Sequence, residues 1–200
     1  MCRTNPKSAI RRLQQRKLNP KGSRRGFTLI EAALTTVIVG TGVLAIVAAQ
    51  QAYLKKNDWA QRTGTAVLLA NEIRELTLTL PMHDPLTGKQ VLGPEANELS
   101  VSQYDDLDDF AGVVNGGLGA GVSFAPPINA LRQPIADLDR WTQEVQVTNV
   151  LPSNIGSTLT QPLGTTSLMR VTVTIKYQDP TLPADEPPMT ITDLSWVVGE

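Results

Sequence analysis

The sequence predicts an α+β fold: a long N-terminal helix packed on a small antiparallel sheet. Two observations carry that prediction. From Phe27 to about Leu80, apolar residues first run almost unbroken and then recur with helical spacing; in the C-terminal third they alternate residue by residue, the period of a strand. A stretch rich in Gly, Pro, Asn and Asp separates the two regimes.

The helix is expected in two halves. From Phe27 to Ala52 the only ionisable residue is Glu31, and at about 1.5 Å per residue that run crosses a hydrocarbon core of about 30 Å. Residues 53–80 form an amphipathic half. Ala66, Leu69, Ala70, Ile73, Leu76 and Leu80 line one face, and Arg62, Thr65, Glu72 and Glu75 lie on the other. Pro81 and Pro85 bracket its end. Leu76 to Leu80 also alternates Leu with Thr as a strand does, which leaves the last turn open. Roughly 80 Å of helix exceeds one bilayer crossing, so the second half is expected to project from the membrane.

Residues 81–200 make up the globular part. Pro81 to about Pro134 reads as loops and short turns, with five glycines between Gly112 and Gly121 and little regular structure expected. Ser167 to Tyr177 is the clearest strand: Met169, Val171, Val173, Ile175 and Tyr177 face one way, Arg170, Thr172, Thr174 and Lys176 the other. Trp141 to Val150 is a second strand and Met189 to Val198 a third, its phase slipping near Asp193. The Pro-rich stretch from Pro180 to Pro188 joins the last two strands as a long hairpin connection.

Charge divides the chain as sharply as hydropathy. Nine of the 18 Lys and Arg residues precede Phe27 and all 19 acids follow Gly26, so residues 1–26 carry +9 and the remainder −10. A basic arm can grip phosphates, but one placed directly before an apolar helix reads as a topogenic segment that keeps the N-terminus cytoplasmic. The acidic remainder argues against nucleic acid as a partner. The single cysteine, Cys2, lies in the basic arm, so the exported part has no disulfide and is held by packing.

Arg24-Arg25-Gly26-Phe27-Thr28-Leu29-Ile30-Glu31 resembles the processing site of type IV prepilins and type II secretion pseudopilins. The motif spans eight residues, and the overall plan of the chain is likewise pilin-like. The resemblance implies that residues 1–26 are a leader, cut off between Gly26 and Phe27 by a membrane prepilin peptidase that also methylates the new Phe27 terminus. Glycine allows close backbone approach in an extended cleft, and the arginines hold the site at the cytoplasmic surface.

Glu31 is an intramembrane carboxylate, which costs about 2.5–3.5 kcal/mol on insertion scales and by default marks a function. The resemblance implies an assembly role, neutralising the Phe27 amine of an adjacent subunit. The bland alternative is a side chain that snorkels to water at the interface. Gly40 and Gly42 weaken the helix at mid-membrane, and Thr41, Ala45 and Ala49 offer a small-residue face for helix packing. Major pilins of the family commonly carry a proline near the position of Ala48, whose absence here argues against a bend or melted segment; many also close a C-terminal loop with a disulfide, which this chain lacks, as minor pilins and pseudopilins often do. Ala60-Gln61-Arg62 and Ala70-Asn71-Glu72-Ile73-Arg74 resemble minor subunits as well.

Other sites carry less. Asp105, Asp106, Asp108 and Asp109 offer oxygen ligands for calcium, without the glycine and distant glutamate of an EF-hand loop, and a solvated acidic loop is the default expectation. His83, the only histidine, stands beside Asp84 with no nucleophile motif, so a helix-ending turn is expected and no enzyme. Trp59, Trp141 and Trp196 read as core or membrane-interface anchors. No cofactor is implied. The expected function is therefore a structural subunit, a minor pilin or pseudopilin, of a type IV pilus or type II secretion pseudopilus. Its partners would be the peptidase, other subunits, the inner-membrane assembly machinery and the bilayer. The competing readings are a non-polymerising membrane-anchored periplasmic binding module, uncut at Gly26, and a secreted enzyme with a conventional signal peptide cut before Gln50.

Overall fold

The computed structural model describes residues 26–112, 119–183 and 185–199. The basic arm up to residue 25, with Cys2 and most of the expected leader, and part of the glycine run lie outside the described residues. One helix, α1 (Leu29–Thr77), is followed by four strands: β1 (Val122–Phe124), β2 (Trp141–Asn149), β3 (Leu168–Tyr177) and β4 (Met189–Gly199). The strands form one sheet in the order β1-β2-β3-β4, every neighbouring pair antiparallel. The α+β arrangement expected from the two periods is the one observed. The chain divides into two compact units between Gln50 and Gln51.

In the first unit every described residue from Gly26 to Gln50 is exposed, including Leu29, Ile30, Leu34, Ile38 and Leu44. Apolar side chains in such number face water only at a cost of roughly 25 cal/mol per Å², so this segment requires a nonpolar surrounding. It is long and apolar enough to cross a membrane.

The second unit is built around the predicted helix face. Ala66, Leu69, Ala70, Ile73 and Leu76 are buried, joined by Thr77, and pack in one core with the inward residues of the sheet. On β2 these are Trp141, Val145 and Val147, and on β3 Met169, Val171, Val173 and Ile175. α1 ends at Thr77 rather than Leu80, and residues 78–80 are turn and bend. Thr77 Oγ1 donates to the Ile73 carbonyl at 2.9 Å and to the Arg74 carbonyl at 3.1 Å, capturing carbonyls at the helix end.

β4 resolves the slip in phase. Ile175 pairs with Thr192 and Lys176 with Thr190, so Ile191 is the extra residue of a bulge. Past it, Leu194, Trp196 and Val198 point to the core side. The register changes at Ile191–Thr192, slightly before Asp193. The 180–188 stretch does connect adjacent antiparallel strands, and Arg62 holds the chain just before it, at the end of β3. Its guanidinium lies 4.4 Å from the Tyr177 ring centroid and bonds Asp179 at 3.1 Å.

Between Pro81 and Pro134 the expected loops and short turns include two short 3-10 turns, Gly88–Gln90 and Asp108–Ala111, and the expectation missed only the three-residue β1. β1 sits where glycine lets backbones meet. Gly121 has φ +79°, and a Cβ there would stand 2.5 Å from the Val145 carbonyl oxygen.

A polar side chain stitches the core. Gln143 on β2 is fully buried. Its Nε2 donates to the Leu69 carbonyl of α1 at 2.9 Å and to the Ile128 carbonyl at 3.1 Å, and its Oε1 accepts the Ile128 N–H at 2.7 Å. One amide thus fixes helix, sheet and the β1–β2 connection together.

Candidate functional site

Two groups of residues carry chemistry, and the first is the start of α1. Thr28 Oγ1 accepts the Glu31 N–H at 3.3 Å and the Thr28 carbonyl accepts the Ala32 N–H at 3.1 Å, so Thr28 is the N-cap. Thr28 and Glu31 have the spacing of a capping box, and Glu31 lies in the first turn, where a carboxylate complements the helix dipole. Gly26 and Phe27 precede the helix, and Phe27 is 74% exposed. Among the described residues no hydrogen bond or ion pair reaches the Glu31 carboxylate. Among the described residues, a Cβ added at Gly40 or Gly42 would meet nothing within 4 Å.

The second group is the acidic segment, and here the expectation of a solvated loop is overturned. Asp106, Asp108 and Asp109 are buried to 1% exposure or less; of the four aspartates only Asp105 is exposed. The cause is their neighbours: Leu107, Phe110 and Ala111 are fully buried in the core, and a one-turn 3-10 helix cannot bury them without drawing in the residues between. Phe110 meets Tyr104 edge-on, ring centroids 5.2 Å apart.

Burying these carboxylates forces each to find donors. Asp109 Oδ2 accepts the N–H groups of Asp105 at 3.0 Å and Asp106 at 3.2 Å, and Asp106 Oδ1 accepts the Asp109 N–H at 3.1 Å. Asp108 turns the other way, accepting the Gly93 N–H at 2.6 Å on Oδ1 and meeting His83 Nδ1 with Oδ2. His83 is therefore a buried residue paired across the loop with Asp108. Asp84 closes a turn, accepting the Leu86 N–H at 2.6 Å.

Glu95 and Glu98, not singled out in the sequence, complete the cluster. Glu98 Oε2 accepts the Glu95 N–H at 3.0 Å, and Glu95 Oε1 accepts the Thr87 hydroxyl at 2.9 Å. Carboxylate oxygens of Glu95, Asp106 and Asp109 lie within 4.8 Å of one another, as do those of Glu98, Asp105 and Asp109. Desolvation, then the charge of Asp108, pushes Asp106 up to about 7; desolvation first, then Asp106, pushes Asp109 up to about 6. Asp108 also rises to about 7, chiefly by desolvation. Burial raises Glu95 and Glu98 as well. The cluster lacks a catalytic arrangement of nucleophile and base among the described residues; its donors are hard oxygens.

The tryptophans divide. Trp141 is in the core against Tyr177, ring centroids 4.9 Å apart, Trp196 is half-buried on β4, and Trp59 is exposed on α1. No family model, curated protein or solved structure matches this chain.

Proposed function

We propose that the chain is a structural subunit of a type IV pilus or type II secretion pseudopilus, a minor pilin or pseudopilin, processed by prepilin peptidase between Gly26 and Phe27 and methylated at Phe27. It is stored as a single-pass inner-membrane protein, N-terminus cytoplasmic and acidic part periplasmic, and an assembly machine extracts it into a filament. It works by polymerising with other subunits.

The observation that carries this reading is the eight-residue processing motif placed at the boundary of an apolar helix. Thr28 caps that helix, so the scissile pair Gly26-Phe27 lies outside it, exposed to a peptidase. Cleavage leaves an amine on Phe27, four residues before Glu31, and Glu31 has no partner within the described chain to satisfy it. Opposite charges about 4 Å apart at an effective dielectric of about 20 attract by about 4 kcal/mol. An amine from an adjacent subunit therefore rewards correct axial placement.

Glu31→Ala tests the assembly role. Co-expressed with a filament system, the variant is expected to be cut normally while its share of the sheared filament fraction drops at least about tenfold, since about 1.4 kcal/mol already gives tenfold. Unchanged incorporation would exclude the role. A chain that is never cut, in a host whose other prepilins are processed, would instead make it a membrane-anchored periplasmic module.

A further inference from the structure

Polymerisation needs α1 as an anchor and as a packing face; it does not account for the polar segment where the apolar run ends. We propose that Tyr53, Lys56 and Asn57, with Lys55 beside them, hold the phosphate headgroup of one anionic phospholipid in the leaflet where α1 leaves the membrane. This rests on the single-pass topology proposed above and is independent of cleavage at Gly26 and of filament assembly.

These residues stand at headgroup depth. A bilayer is about 30 Å of hydrocarbon within about 40–45 Å overall, which leaves roughly 5–8 Å of headgroup on each side. The apolar run ends at Ala52. At about 1.5 Å per residue, Tyr53 to Asn57 lie about 1.5–7.5 Å further along the same helix. Aromatic rings with a polar edge concentrate at that level, and Tyr53 is 71% exposed and Trp59 47%.

The local charge is of the opposite sign to the rest of the exported part. The chain from Phe27 onward carries −10, yet residues 51–65 hold three cations, Lys55, Lys56 and Arg62, against Asp58 alone, a local +2. Arg62 is engaged, by Asp58 at 2.8 Å and by Asp179 at 3.1 Å. Lys55 and Lys56 are exposed, and among the described residues neither ammonium has an ion-pair partner. Lysines at the exported end of a span run against the bias that keeps cations cytoplasmic. Two of them there, in an otherwise acidic part, match an anion at the same level.

The donors also converge. Tyr53, Lys56, Asn57 and Ala60 follow helical spacing and line one groove of about 260 Å³. All four are exposed, and at about 100° per residue the groove lies well round the helix from the Ala66–Ile73 face that packs on the sheet. A phenol hydroxyl, an ammonium and an amide are the donors that phosphate oxygens take. Among the described residues no hydrogen bond engages any of these three side chains. Asn71, further along α1, behaves otherwise and donates to the Val67 carbonyl at 2.9 Å. The groove is smaller than the roughly 300–1,000 Å³ of pockets that enclose a whole small molecule. It fits a headgroup whose acyl chains lie along the apolar run.

The test uses the full chain, purified in detergent and freed of lipid, titrated with phosphatidylglycerol or phosphatidylcholine and read by native mass spectrometry. One phosphatidylglycerol is expected per chain, held at least about fivefold more tightly than phosphatidylcholine, the factor expected for one lysine at an anionic surface. Lys56→Gln is expected to weaken binding about fivefold, and Lys55→Gln/Lys56→Gln to abolish the preference. Glutamine keeps helix propensity at these exposed positions, and Arg140→Gln, which removes an exposed cation elsewhere, should change nothing. Equal retention of the two lipids by the wild-type chain would overturn the proposal. Displacement of phosphatidylglycerol by excess inorganic phosphate would overturn it as well, leaving a plain anion site. A chain that fails to enter vesicles of the same two lipids would overturn the membrane topology and this proposal with it. A chain that inserts and selects phosphatidylglycerol, yet stays uncut at Gly26 in its host, would overturn the filament reading alone.

Discussion

Replacing Gln143 with leucine removes the one side chain that bonds α1, β2 and the β1–β2 connection at once. The volume is nearly conserved, so the cost is polar. The Ile128 N–H loses its acceptor at 2.7 Å inside the core, and an orphaned buried donor costs about 1–3 kcal/mol. The carbonyls of Leu69 and Ile128 each lose a bond from Nε2. Two such losses add about 0.5–1 kcal/mol each, because one of those carbonyls still accepts within the helix. Leucine recovers part of this through better transfer from water, leaving a net destabilisation of about 2–4 kcal/mol. Urea unfolding of the detergent-solubilised chain, followed by tryptophan fluorescence, measures it, since Trp141 is buried in the same core. A midpoint unchanged to within the equivalent of about 0.5 kcal/mol would refute the reasoning, because Gln143 would then be a filler and not a tie.

Two further outcomes follow from the same core. Ile73→Ala removes a fully buried side chain at the centre of the helix face, and the loss is expected at about 2–5 kcal/mol, read as a lower urea midpoint with an unchanged slope. The pH dependence has an unusual sign. Asp106, Asp108 and Asp109 have folded-state values of about 7, 7 and 6 against an unfolded value of about 3.9. Between pH 4 and 7 the folded chain therefore holds protons that the unfolded chain releases, and stability without divalent cation falls as pH rises across that window. Thermal melts in chelator at pH 4.5 and 7.5 check this, and a higher midpoint at pH 7.5 would contradict it.

The fold was largely legible because both periods are strong. Ala66, Leu69, Ala70, Ile73 and Leu76 are small or aliphatic at every third or fourth position, and the core selects that face. On β3, apolar and polar residues alternate without interruption from Met169 to Tyr177, so only one face can be buried. β1 was not legible, since three residues at the end of a glycine run have no period to detect, and their strand state follows from pairing with Gln143–Val145. The break at β4 was visible as a phase error, but only the pairing shows that Ile191 is the residue left over.

The acidic site was legible in part. Four aspartates in five residues draw attention, yet residue type alone predicts solvation. The contrary signal was Leu107 and Phe110 set among them, since apolar anchors buried by a short turn carry their neighbours inward. Glu95 and Glu98 could not be found this way, because they approach Asp109 through two turns with no periodic signature. Nor does anything in the sequence separate Asp108 from the others; its partner His83 is 25 positions away.

The central claim concerns what happens at Gly26. The direct measurement is the N-terminal sequence and intact mass of the mature protein recovered from membranes of its native host. The account predicts a chain that begins at N-methylated Phe27. A chain still beginning at Met1 would contradict it and leave a membrane anchor, and one beginning at Gln50 would contradict it and make the protein secreted.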